Sequence, residues 1–432
     1  MARERTKGLE EFFGYSLFES LLDRRSRRFQ MGGEIPSGPL KYKSSHKPVP
    51  LTELEEALLL WAGGGMKGLN LSDFPPEKGL DLEVKFVSKT IPSLGDIHRT
   101  EIFYTNDNGT YMIKQNDKIM NSLAGIKSLK PERRLDIILQ FFDECRIKIS
   151  DKRAELAKEP PGLAIHNTWN VNKPGSTLMI PVTDLSAGLI NILFFYERIG
   201  HRYNFLDELK NLRPAGTEKW LKNGFLNKDK SLNLIEAEIR FASAYMAEQP
   251  LFCQNVNLAQ QALGLGGWLF TGFASRYMLG ADPESNGLGF KCIDSDHPDS
   301  DWGSTVTAIP VGLDGHFVGF CPPYYANMGE AVDAFNDMKW TNWETDRMPY
   351  KESQAVLDAT RKPTKKEIMV VKDLCNYIYE TYGSFPAFSD TMYTRMMVQS
   401  HVIDLDFYDK FYSEGTYSKL HKEHGRNWNK KL

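Results

Sequence analysis

Cysteine is scarce in this chain. Its five copies, Cys145, Cys253, Cys292, Cys321 and Cys375, are far apart, odd in number and without a C-x-x-C pair. That pattern argues against a disulfide framework or a zinc knuckle, and each cysteine reads as a reduced thiol buried like a small hydrophobe. An excess of charge of either sign is also missing: 53 Lys and Arg stand against 56 Asp and Glu, a formal net charge of -3. No global basic field gathers nucleic acid or anionic lipid, so any anion site must be local. No apolar run reaches the roughly 18 residues that span a bilayer. Gly8-Leu9-Glu10-Glu11 interrupts the stretch where a secretory signal needs continuous apolar residues. The expectation is a cytoplasmic protein with no membrane and no nucleic-acid partner. There is no repeat of fixed period and no low-complexity tract.

What is present suffices for a large core. The 432 residues are 41% hydrophobic and 12% aromatic, enough for one large elaborated domain or two smaller ones. Phe12 to Leu22 has helical spacing, and Thr52 with Glu55 forms the signature of a capping box that opens a second helix, closed at Gly63-Gly64-Gly65. Leu82 to Ser88 alternates as a strand. Glu101–Tyr104 and Thr110–Ile113 flank Asn106-Asp107-Asn108-Gly109, a hairpin signal. Pro131 to about Lys158 reads as one long amphipathic helix, and a strand at Thr177–Val182 leads through Asp184, a helix cap, into an apolar helix ending near Arg198. Helices are expected at about Asn233–Glu248 and Leu251–Leu265, a strand at Thr305–Val311, and mainly helix beyond Met328. Few, non-consecutive strands among many helices argue for an α+β fold rather than a doubly wound sheet.

Three segments carry chemistry. After the first helix comes Arg24-Arg25-Ser26-Arg27-Arg28-Phe29; adjacent guanidiniums give charge-assisted, bidentate bonds to phosphate oxygens. The second is Ile91-Pro92-Ser93-Leu94-Gly95-Asp96-Ile97-His98, running into the hairpin, where Ser and Gly let backbone approach a flat ring. The third is Gln254-Asn255-Val256-Asn257-Leu258-Ala259-Gln260-Gln261-Ala262-Leu263-Gly264-Leu265-Gly266 with Gly267-Trp268-Leu269-Phe270-Thr271-Gly272 after it. Taken singly, the first also reads as a solvated basic turn, the second as an ordinary turn before a hairpin, and the third as a core helix with a glycine cap.

Together and in this order, the segments resemble the nitroreductase-like FMN-dependent oxidoreductases, nearest to the azoline-oxidase branch that aromatises thiazolines and oxazolines in peptides. The resemblance implies a central, mainly antiparallel sheet flanked by helices in residues 1–345, with an insertion at about 115–232, and a helical C-terminal extension over 346–432. It implies FMN held in a homodimer and hydride exchange at flavin N5 with a small molecule or modified peptide by a ping-pong mechanism. Arg24, Arg25, Ser26, Arg28, Pro92, Ser93, Leu94, Gly95, Leu269, Phe270, Thr271 and Gly272 then contact the cofactor. Thr271 supplies a backbone donor near N5, with His98 and Tyr104 as proton-handling groups and Tyr111 and Trp268 as pocket candidates. The family's C-terminal basic phosphate ligand has only Lys339 and Arg347 as candidates. A flavin-binding protein without turnover is the alternative.

Other signals point elsewhere. Gly63 to Gly68 fits G-x-G-x-x-G but ends a helix. Asp294, Asp296, Asp299 and Asp301 miss the glycine and glutamate of a calcium loop. His421 and His424 read as surface histidines, and no metal set is expected.

Overall fold

The computed structural model describes residues 7–71, 85–93, 97–114, 133–198, 201–282, 285, 287–296, 304–340, 350–359 and 362–428, with the side chains of 67–71 and 85–88 left aside. The fold is mixed α+β. Its central sheet contains β1 (Thr100–Asn106), β2 (Gly109–Ile113), β3 (Arg146–Ser150), β4 (Thr177–Asp184), β5 (Gly266–Phe270), β6 (Met392–Tyr393) and β7 (Met397–His401). The spatial order is β5-β7-β4-β1-β2-β3, with β6 also on β4, and every pairing is antiparallel. The hairpin signal is realised as β1–β2: Asn106 Oδ1 accepts from the Asn108 amide at 2.8 Å, and Tyr104 stacks on its cross-strand partner Tyr111 at 4.9 Å.

One face of the sheet, including Ile102, Tyr104, Met179 and Val398, is covered by α3 (Glu53–Gly64), α4 (Arg134–Cys145) and α7 (Glu248–Leu263). The other face, including Phe103, Ile180, Trp268 and Phe270, packs on Phe273, Met278, Phe290 and Phe317. A second core joins α5 (Leu185–Glu197), α6 (Leu234–Met246), α8 (Met328–Trp340) and α9 (Lys365–Tyr382). The caps are those expected: Thr52 and Glu55 close a capping box on α3, and the Asp184 carboxylate accepts from the Ala187 amide at the start of α5. Four cysteines are buried and Cys292 is half-buried, and none of the five is in a disulfide. No helix among the described residues is long and apolar enough to cross a membrane.

Several expectations are corrected. The first helix is two, α1 (Lys7–Gly14) and α2 (Leu17–Asp23), because Ser16 caps the second with Glu19. The long helix from Pro131 stops at Cys145, where Arg146-Ile147-Lys148-Ile149-Ser150 alternates and forms β3. The C-terminal segment is not an appended helical extension, since β7 lies inside the central sheet between β5 and β4. All five β7 residues are buried; a strand enclosed on both faces loses the alternation that would mark it in sequence. The expected insertion likewise contributes β4 at the middle of the sheet.

His421 and His424 are buried, on α11 (Lys419–Trp428). Their ring nitrogens meet the carbonyls of Leu265 and Leu263 at 3.2 and 3.1 Å, and His424 Nε2 meets Glu55 Oε1 at 3.2 Å. They complete the end of α7, whose cap Gly264 has φ +70° with the Leu420 carbonyl 2.4 Å from where a Cβ would stand.

Candidate functional site

The arginine segment leaves α2 in extended form and is joined to β5. Gly267 N donates to Arg27 O at 2.9 Å, an antiparallel bridge that unites the first and third segments across 240 positions of sequence. Gly267 is required by this crowding: φ is +154°, and a Cβ would stand 2.1 Å from Gln399 O and 2.5 Å from Gln260 Nε2. His401 Nε2 also meets Arg27 O, at 3.0 Å. A carbonyl only accepts, so Nε2 carries the proton; burial pushes this imidazole down to about 4.

The two faces of the segment differ. Arg27 and Phe29 point inward and are 2% and 1% exposed. The Arg27 guanidinium donates to Gln261 Oε1 at 2.7 Å, Thr416 O at 2.9 Å and Asp23 O at 3.3 Å, and burial lowers its pKa to about 10, still fully protonated at neutral pH. Arg24, Arg25 and Ser26 are exposed, and Arg28 is half-buried with its guanidinium 5.2 Å from the Trp268 ring centre. Among the described residues, no ion pair engages Arg24, Arg25 or Arg28. Arg24, Arg25 and Arg28 thus place three cations without an ion pair among the described residues within five positions. Arg27, the unspecified position of the motif, is the residue sequence reading missed. Its signal was the alternation that puts it on the same side as Phe29.

β5 is an edge strand of the sheet. The Gly267 amide points away from β7, so by alternation the Leu269 amide faces the same open edge. From Gly267 to Thr271 the strand advances about 13 Å. Leu269 and Thr271 are half-buried, and Phe270 and Gly272 are buried. Gly272 O accepts from Ala164 N at 2.8 Å. Around Gly272 stand Asn167 Nδ2 and His166 Nε2, at 3.0 and 3.7 Å from where its Cβ would be. Buried polar atoms in this region without a hydrogen-bond partner among the described residues include Asn167 Oδ1 and Trp268 Nε1.

The second segment is described only in part. Pro92 is exposed, the Ser93 hydroxyl donates to Ile97 O at 2.9 Å, and Leu94 and Gly95 lie outside the described residues. Tyr104, Met179, Val398 and Leu269 form one row across β1, β4, β7 and β5. Three strand spacings, about 14 Å, therefore separate Tyr104 from β5. Tyr104 is 0% exposed, and burial first, then Glu56, raises its phenol pKa. His98 is buried with Nδ1 3.8 Å from Glu248 Oε1, and burial, then Lys89, depresses it to about 2. Within this chain Tyr104 is therefore not beside Thr271. An exposed titratable group there is His166, which no motif marked.

Lys339 is buried in the second core with Nζ 2.7 Å from Asn191 Oδ1, so it does not complete a phosphate site, and Arg347 lies outside the described residues. Gln260 and Asn255 serve the scaffold: Gln260 Nε2 donates to Gln399 O at 2.9 Å and Ser400 Oγ at 2.7 Å, and Asn255 Nδ2 to Thr90 O at 3.4 Å. A cleft of about 440 Å³ beside α1 and α2 is lined by Glu11, Tyr15, Glu19 and Lys419 among others, an acidic setting unsuited to phosphate.

No protein-family model and no curated protein matches this chain. Among solved structures, a chain from Ralstonia eutropha JMP134, described provisionally as a nitroreductase, shares 15% identity over 65% of this chain and 78% of its own, with a TM-score of 0.27. A likeness that low carries no weight for fold or function, which rest on the chain's own sheet and side chains.

Proposed function

We propose that this chain is a flavin-dependent oxidoreductase that holds FMN along the open edge of β5. The reading is carried by the Arg27–Gly267 bridge, which sets Arg24, Arg25 and Arg28, without an ion pair among the described residues, at one end of a strand whose other end carries Thr271 and Gly272. Arg24, Arg25, Arg28 and Ser26 would hold the phosphate, and the roughly 13 Å of strand beyond is of the length a ribityl chain and ring must bridge. Leu269, Phe270, Thr271 and Gly272 would border the ring, with the orphaned Asn167 Oδ1 and Trp268 Nε1 as further polar partners. Bound FMN supplies two-electron hydride chemistry at N5, and ping-pong kinetics with a small-molecule or modified-peptide substrate are expected.

Fixed backbone amides at the strand edge would stabilise negative charge on a reduced ring without reorganising. His166 would handle the accompanying proton, since it stands at Gly272 and is exposed to solvent.

The proposal includes a homodimer. Leu17, Phe18, Leu21 and Leu22 form one stripe of α2 and are 62%, 77%, 46% and 80% exposed, while Ser20 on the opposite side is buried. An apolar stripe turned to solvent beside the arginine cluster is suited to cover by a second copy.

The test is reconstitution and reduction. Wild-type chain should bind FMN, and the bound flavin should bleach anaerobically with a reduced nicotinamide or a substrate. Arg24→Ala with Arg28→Ala should lose roughly 3–6 kcal/mol of FMN affinity, from about 1.5–3 per charged hydrogen bond. Bound FMN that nothing reduces would leave a flavin-binding protein without turnover; unchanged affinity in the double variant would remove the arginines from the site.

A further inference from the structure

A second site lies on the far side of Phe29, where the ribbon Glu34–Ile35/Tyr42–Lys43 meets α10 (Leu405–Phe411). Its wall is aromatic: Phe29 stacks on Phe407 at 4.1 Å, and Tyr42 meets both at 5.5 and 5.6 Å. At its rim are His46, Asp404 and Asp406. One ring nitrogen and one oxygen from each carboxylate lie within 4.8 Å of one another, and His46 Nε2 is 2.9 Å from Asp406 Oδ2.

Asp404 sets this cluster apart from a chance meeting of surface charges. It is 0% exposed and caps α10 through Oδ1, which accepts from the Phe407 amide at 3.2 Å. Its Oδ2 is buried and meets no hydrogen-bond donor among the described residues. A capping aspartate needs only one oxygen. An ionised oxygen buried without a partner is costly unless a cation or proton satisfies it. His46 and Asp406 are partly exposed, at 42% and 59% of their side chains, so an ion could enter from solvent and keep water in its remaining positions.

We infer that His46, Asp404 and Asp406 form a divalent transition-metal site, of the zinc or manganese class, that pins the N-terminal ribbon to α10. One imidazole and two carboxylates suit a borderline cation. Magnesium and calcium, which prefer all-oxygen sets, bind more weakly. On binding, the hydrogen bond between His46 and Asp406 is exchanged for two metal bonds, and any proton on His46 Nε2 is released. The ligands are about 360 positions apart in sequence, and the ion ties the ribbon that follows the arginine segment to the helix that follows β7.

The experiment is calorimetric titration of chelator-treated full-length protein with ZnCl2, and separately with MgCl2 and CaCl2, alongside thermal melting. Wild-type protein should take up one zinc per chain at this site and melt higher with zinc present. His46→Ala should weaken zinc at least about ten-fold, since loss of outer partners alone costs roughly 10–100-fold, and should melt like wild type without metal. Asp404→Asn keeps the cap acceptor and removes the charge, and should lose the zinc-dependent rise in melting. The inference is overturned if wild type binds no zinc, if both variants bind it unchanged, or if magnesium or calcium binds as tightly as zinc. Flavin content is not read here, so failure of this site leaves the proposed function standing.

Discussion

Replacing Arg27 with Ala separates the arginine that builds the fold from those assigned to a ligand. The buried Gln261 Oε1 and the Thr416 carbonyl both lose their donor. An unsatisfied buried acceptor costs about 1–3 kcal/mol; Gln261 Oε1 is buried and the Thr416 carbonyl half-buried, so these and the lost guanidinium stem come to about 3 kcal/mol. Unfolding entropy near 2.1 cal/mol/K per residue over 432 residues converts this to a fall of about 3 °C in melting midpoint. Differential scanning calorimetry on Arg27→Ala, Arg24→Ala and Arg25→Ala should give that fall in the first alone, because Arg24 and Arg25 are exposed. Equal falls in all three, or none in Arg27→Ala, would refute the division between an inward and an outward face.

Three other outcomes are expected. Phe18→Glu with Leu22→Glu should convert a dimer to monomer in sedimentation, weakening association at least about 100-fold from roughly 1.5–3 kcal/mol per buried side chain, with the melting of the monomer unaffected. His166→Asn should lower turnover while leaving FMN content unchanged, and added imidazole should restore part of the rate. Acid should destabilise the fold through His98, His401 and His421, which burial holds down to about 2, 4 and 3. They are neutral when folded but titrate near 6.5 when unfolded, so their stability is complete above about 6.5 and is lost as pH falls toward the folded values. Melting between pH 6.5 and 4 should therefore drop less in His401→Gln than in wild type; an identical profile would rule His401 out as a contributor. Glu56 and Glu238, raised to about 7 by burial, act oppositely and lose stability as pH rises through that value.

The parts of the fold legible in sequence were those with local signatures. Thr52 with Glu55, Asp184, and Asn106 to Gly109 announce caps and a turn through interactions within a few residues, and each is found. β7 was not legible, because Met397 to His401 is enclosed on both faces and carries polar residues whose partners are distant: Gln399 donates to Asn170 O, and Ser400 and His401 contact Gln260 and Arg27. The site shows the same division. The charge cluster and the glycine-rich strand could be named from their types, but only the tertiary bridge at Gly267 shows that they meet. His98 and Tyr104 were drawn in by nearness in sequence to the second segment. The sheet carries Tyr104 three strands from β5, and His98 lies against Glu248 at the start of α7. His166 and Asp404 carry no motif, and both became visible through what stands beside them in space.

The most direct test of the central claim is the near-ultraviolet and visible spectrum of the purified chain, with any released cofactor identified by mass and the colourless protein titrated with FMN. FMN at about one per chain, absent from the Arg24→Ala, Arg28→Ala double variant, is the result predicted by a phosphate clamp at the head of β5. Protein that is colourless and takes up no FMN on titration would contradict it.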